Sequence, residues 1–82
     1  MKYRIVTIRD RAADVFGIPS FVMSLGAAVR SFGDEVNKKD GSPLSGHPED
    51  FDLYELGEYD DDTGQFSQGI PRQIAVGKDL VK

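Results

Sequence analysis

The amino-acid sequence predicts a small α+β domain: a single-layer, mostly antiparallel sheet covered by one amphipathic helix, in the order β-α-β-β with a further strand or turn at the C-terminus. Three observations carry that prediction. Ile5, Val6, Thr7 and Ile8 form a β-branched run near the start. Leu25, Ala28, Val29, Phe32 and Val36 recur at helical spacing. The Asp- and Gly-containing stretch "DDDTG" separates two stretches of strand character.

Taken in order, "YRIVTIR" reads as a strand, and its unbroken apolar centre suits a strand covered on both faces or paired on both sides. In "DRAADVFGIPSFVM", Pro19 disfavours helical backbone at Ile18, and Gly17 precedes it. That segment is expected to be a connector with one helical turn around Ala12–Val15, held by Phe16, Ile18 and Phe21. "SLGAAVRSFGDEVN" is the helix, with Ser24 as N-cap and Asn37 as its stop. Gly26 and Gly33 each cost about 1 kcal/mol relative to alanine inside a helix, which predicts close packing against the sheet. "KKDGSPLSGHPED" is expected to be a loop.

"DFDLYELGEY" reads as a strand with Leu53 facing one way and Tyr54 and Leu56 the other. Gly57 is a candidate bulge that changes the face to which Tyr59 points. "QFSQ" is a short return strand, "RQIAV" a fourth strand, and "GKDLVK" a strand extension or a helical turn. Neither an internal repeat nor a low-complexity segment is visible.

An 82-residue chain is one domain, residues 1–82, and buries only roughly 60 to 65% of its unfolded surface. Without cysteine there is no disulfide or thiolate metal site, and one histidine rules out a His-rich metal centre. A core this small often gains stability by association, so a homo-oligomer is expected. The opening segment is too short for a signal peptide, and no run approaches the length of a membrane span. The expectation is a cytoplasmic protein that does not engage a membrane.

The net charge of −4 argues mildly against a general nucleic-acid binder. Its distribution is uneven. Residues 1–33 carry five basic and two acidic side chains, residues 34–62 two and eleven, and residues 63–82 three and one. The chain is basic, then acidic, then basic, which bears on association rather than fold.

The acidic peak, "LYELGEYDDDTG", holds Glu55, Glu58, Asp60, Asp61 and Asp62. A calcium loop of the EF-hand type requires oxygen ligands at alternate positions, glycine at the sixth and glutamate at the twelfth. Counted from Asp60, the sixth position is Gln65 and the twelfth Pro71; counted from Glu58, the sixth is Thr63. No metal site is expected. The segment reads as a hairpin turn, in which carboxylates accept from nearby amides and glycine takes positive φ. An acidic docking face for a basic partner remains open on top of that reading.

His47 lies beside Pro48, Glu49 and Asp50, but no nucleophile motif accompanies it and no glycine stretch matches a phosphate loop. Neither catalysis nor a cofactor is expected. Lys2, Arg4, Arg9 and Arg11 lie on or beside the first strand, and Arg72 and Lys78 on the last segment. Were those segments sheet neighbours, a basic face would form opposite the helix, and Tyr3 or Tyr54 there could stack bases. Against this stands the plainer reading of solvated charges flanking strands, with most phenylalanines in the core.

Several motifs together carry a resemblance. These are Arg9-Asp10 ending the first strand, F-x-x-P-x-F at Phe16, Pro19 and Phe21, and G-x-A-x-R-x-F-x-D-x-V-N from Gly26 to Asn37. They continue with "HPEDF-x-L" at His47–Leu53 and "GEYDDDTG" at Gly57–Gly64. The chain resembles the small nonstructural protein of gokushoviruses, Microviridae phages with single-stranded DNA genomes. Many members carry an asparagine near the helix start, where this chain has Ser24-Leu25, so no role is carried over for it. The resemblance implies a DNA-binding role in viral DNA replication, directing new genomes towards packaging inside the host cytoplasm, and it brings no catalytic residues.

The expected function is thus a nonenzymatic accessory protein that binds single-stranded DNA, or replication and procapsid proteins, during genome synthesis and packaging. Lys2, Arg4, Arg9, Arg11, Arg30 and Arg72 are its candidate phosphate contacts. The alternative is an oligomeric adaptor that docks viral or host proteins without touching DNA.

Overall fold

The computed structural model describes residues 1–82. Strand β1 is Lys2–Asp10, β2 Val15–Phe16, β3 Ser20–Val22, β4 Phe51–Asp60 and β5 Gln65–Val76. Helix α1 is Leu25–Val36 and α2 the single turn Pro43–Gly46, with 3-10 turns at Pro48–Asp50 and Gly77–Leu80. The strands form one antiparallel sheet in the order β2-β1-β4-β5, with β3 also on β1. The α+β architecture is the one expected, a sheet covered by one main helix.

The helix forms where its periodicity places it. The Ser24 hydroxyl accepts from the Ala27 amide at 3.1 Å, satisfying one of the free donors of the first turn. At the other end, Asn37 Nδ2 donates to the carbonyls of Gly33 and Leu80, both at 2.8 Å, tying the last turn to the C-terminal segment. Ala28, Phe32 and Val36 are buried against Val6 and Leu53, with Ile8, Val22, Leu25, Val29 and Leu80 packed around them. No helix is long and apolar enough to cross a membrane.

Strand alternation then sorts β1 into two faces. Val6 and Ile8 meet the helix, so Arg4 shares their side, while Tyr3, Ile5, Thr7 and Arg9 point to the other. In β4, Leu53 is in the core as expected, and Tyr54 lies opposite Thr7 on the far face. The register shifts between Ile5↔Gly57 and Val6↔Glu55, leaving Leu56 as an extra residue. This bulge at Gly57 brings Tyr59 opposite Tyr3 on the far face, as the sequence suggested. Gly57 sits at φ +155°, and a Cβ there would lie 2.1 Å from the Ser67 carbonyl oxygen. No other residue fits.

Several expectations are corrected. Arg11–Asp14 form a turn, not a helical turn, and Val15–Phe16 fold back onto Arg9 and Asp10 as β2. "SFV" pairs with β1 as a third strand, which a three-residue stretch gives no periodicity to reveal. The connector between β2 and β3 is fixed by the Gly17 amide on the Ile8 carbonyl and by the Thr7 hydroxyl on the Gly17 carbonyl. Ile18 is 93% exposed and anchors nothing. Gly26 has no neighbour within 4 Å, and Gly33 faces the Leu80 side chain at 3.7 Å and not the sheet. The expected loop contains α2, with Ser42 as its N-cap and Pro43 at its first position. "QFSQ" and "RQIAV" belong to one long strand, β5, whose pairing with β4 is interrupted around Gly69–Pro71.

Candidate functional site

Phenylalanine was expected in the core, and the structure puts most of it elsewhere. Of the eight aromatic side chains, only Phe32 is a buried core residue, with Phe51 packed at the core's edge. The other six, Tyr3, Phe16, Phe21, Tyr54, Tyr59 and Phe66, lie on the face that the helix leaves open. Pairing fixes this placement: Phe21 lies opposite Ile5, Phe16 opposite Arg9, Tyr54 opposite Thr7, Tyr59 opposite Tyr3, and Phe66 opposite Tyr59.

The rings form two groups. Towards the hairpin tip, Tyr59 meets Phe66 at 5.0 Å, Phe21 at 5.6 Å and Tyr3 at 6.4 Å between centroids. At the other end, Phe16 contacts Tyr54 edge-on at 5.3 Å, and the Arg9 guanidinium carbon lies 5.1 Å from the Phe16 centroid. Between them runs a hollow of about 550 Å³, floored by Ile5 and Leu56 and walled by Pro19 and Phe21 on one side and Phe66 and Pro71 on the other. A second hollow of about 560 Å³ continues past Tyr3 and Tyr59. Phe16, Phe21 and Phe66 stay half-exposed. These rings are not part of the buried core, and their half-exposed surface makes this face the candidate binding surface.

The candidate cations do not gather on this face. Strand β4 lies between β1 and β5, so the basic segments are not neighbours. Arg4 and Arg72 both reach Glu55 on the helix side of the sheet: Arg4 Nε donates to Glu55 Oε2 at 2.6 Å, and Arg72 Nη2 to Oε1. Lys2 shares the side of Arg4, across from Asp60. Arg30 projects from the exposed side of α1. Arg11 sits at the rim, with Nε 3.0 Å from Asp52 Oδ2. Arg9 alone among the six lies within the rings.

Each acidic candidate has a partner within the chain, although Asp61 and Asp62 stay exposed. Glu55 is buried. Burial pushes its carboxyl up, but hydrogen bonds from Arg72 and Arg4 and their charges outweigh that and hold it below the usual carboxylate range. Glu58 lies 3.9 Å from Arg4. Asp60 shapes the turn, its carboxylate accepting from the Asp62 amide at 2.9 Å and its carbonyl from Gly64 at 2.8 Å. Asp61 and Asp62 bind the Met1 α-ammonium at 2.8 and 2.9 Å. Their hydrogen bonds raise that ammonium to about 10, and the reverse effect lowers Asp61. The tip is therefore a hairpin turn that carries its own cation. His47 Nδ1 lies 3.5 Å from Glu49 Oε1 with both side chains exposed.

Sequence reasoning named Tyr3 and Tyr54 but missed Phe16, Phe21, Tyr59 and Phe66 as members of one surface. The available signal was Gly57: once its bulge is admitted, Tyr54, Tyr59 and Phe66 fall on the same face.

A family model described as Phage ORF5 protein matches residues 3–80. No curated protein and no solved structure matches the chain.

Proposed function

We propose that this chain, which belongs to the Phage ORF5 protein family, is a nonenzymatic phage accessory protein that binds single-stranded DNA on the open face of its sheet. The observation that carries the reading is the set of six aromatic side chains on one face, four of which (Tyr3, Phe21, Tyr59 and Phe66) line two adjoining hollows. Bases of any identity stack on such rings, each worth about 1–3 kcal/mol, and a duplex keeps its bases stacked on one another. From Tyr3 to Arg9 the platform runs about 20 Å at the rise of a strand. That suits a short footprint of roughly four nucleotides.

Affinity on this face comes mainly from stacking, because Arg9 is the candidate cation among the rings. The salt dependence should accordingly be shallow, with log K falling by about 0.7 per decade of salt for each phosphate neutralised. The finer assignment to the gokushovirus small nonstructural proteins, acting in the host cytoplasm during genome synthesis and packaging, is part of this proposal. It rests on the motif segments His47–Leu53 and Gly57–Gly64.

The chain has three tyrosines, all on the open face, and no tryptophan. Tyrosine emission therefore reports on the platform without a label. Titration with single-stranded oligothymidylate should quench it, with matching anisotropy of a labelled strand, while duplex of the same length leaves it unchanged. Equal response to duplex, or none to either at low salt, would sink the reading.

A second reading, an oligomeric protein adaptor, is favoured by Ile18 and Ile70. They are 93% and 92% exposed in the segments along the two edges of the sheet. Light scattering on a sizing column tests it, and a monomer at micromolar concentration counts against it.

A further inference from the structure

We propose that Arg9 is the phosphodiester subsite of the open face, and that in the free protein the Asp14 carboxylate occupies this subsite as a stand-in that a nucleic-acid phosphate displaces. The inference rests on the single-strand reading and specifies how that site is regulated.

Arg9 extends over the Phe16 ring, which itself contacts Tyr54 edge-on. A phosphate bound there would follow directly from bases stacked on Phe16 or Tyr54. The guanidinium is already engaged: its Nη2 donates to Asp14 Oδ1. Carboxylate and phosphate oxygens answer the same guanidinium donors, so one can replace the other.

Charge and burial decide which acid can leave. At this end of the face each of two cations is paired with a carboxylate, Arg9 with Asp14 and Arg11 with Asp52. Asp52 is 1% exposed and its Oδ2 is bound by Arg11. It cannot withdraw into water. The Asp14 side chain is 81% exposed, and its partnership with Arg9 is of the surface type that is held weakly. Release of Asp14 frees one positive charge among the rings.

The turn is built for that release. Asp14 is the one non-glycine residue with positive φ, at 57°, a conformation that asparagine or glycine adopts at least as readily. The turn itself is held by Asp10, whose carboxylate accepts from the amides of Ala12 at 3.0 Å and Ala13 at 3.2 Å. Asp14 is thus not required to shape the turn, and its carboxylate has one visible task, which is to hold Arg9.

Asp14→Asn separates the two functions, since it keeps the left-handed residue and removes the charge. Anisotropy of a fluorescein-labelled oligothymidylate should show about three- to tenfold tighter binding by D14N than by the natural chain at low salt, with a steeper salt slope. The gain should vanish in an Arg9→Gln background. Asp34→Asn, on α1 behind the sheet, controls for net charge and should change little. Equal or weaker binding by D14N, or a gain that survives R9Q or appears equally in D34N, overturns the stand-in while leaving the single-strand reading in place. If neither the natural chain nor D14N binds at low salt, both fall. Urea denaturation of D14N, expected to match or exceed the parent, verifies that the turn is intact.

Discussion

The two faces of this sheet are made from alternate residues of the same strands and are finished in opposite ways. On one, Val6 and Leu53 meet Ala28, Phe32 and Val36 of α1 and lose nearly all contact with water. On the other, Phe16, Phe21 and Phe66 pack on tyrosines and stay half-exposed, with no element over them. Aliphatic and small side chains suffice where the task is burial, because area removed from water is what stabilises. Flat rings are placed on the face that no element of the chain covers. The difference separates a surface that stabilises the fold from the surface proposed for recognition, so substitutions can address each in turn.

The largest expected effect is on the closed face. Phe32→Ala should destabilise the fold by about 4 kcal/mol, combining lost transfer energy with a cavity. Phe66→Ala on the open face should cost less than about 1 kcal/mol in the same urea titration, since its ring is half in water already. Equal losses would erase the distinction between the faces.

Next comes the rim. Arg11→Ala leaves the Asp52 carboxylate buried without its cation, and an uncompensated buried charge costs about 3 kcal/mol. A midpoint shift close to that of an ordinary surface arginine would mean that Asp52 is solvated by another route.

Phe21→Ala should weaken single-strand binding about tenfold, equivalent to about 1.4 kcal/mol, while leaving the urea midpoint nearly unchanged. Loss of stability without loss of binding would reverse the roles given to the two faces.

The smallest effect concerns pH at the hairpin tip. The Met1 ammonium is raised from 8.0 to about 10, so its contribution is complete below pH 8 and disappears as pH rises through about 10. Asp61 and Glu55 are lowered, so theirs is present above about pH 4.5 and is lost on acidification below their ordinary values. The protection factor of the Gly64 amide, its exchange corrected for the intrinsic pH dependence, should fall at both extremes, and a protection factor independent of pH would detach the amine from the tip.

Much of the closed face was legible in the sequence. Its signals are local: the three-and-four spacing of α1, Ser24 and Asn37 at its ends, and the β-branched run of β1. The open face was harder to see because its members come from five strands, two of them with only two or three residues. Phe16 and Phe21 lie in a connector where an apolar residue and a ring awaiting a ligand look alike. The scattering of the basic residues depends on β4 lying between β1 and β5, a fact about strand order that no window of the chain contains. The pairing of Glu55, Asp61 and Asp62 left no local signal because their partners, Arg4, Arg72 and the Met1 amine, are distant in sequence.

The bulge at Gly57 has a consequence for how this strand stores information. Before it, odd and even positions of β4 obey one reading frame; after it, the frame is displaced by one. Tyr59 and Phe66 owe their side of the sheet to that displacement, and so do Glu58 and Asp60. The choice between a ring-bearing and an acid-bearing outer surface at the hairpin's far end is therefore encoded in a phase, set by one residue without a side chain, and only secondarily in the letters that follow.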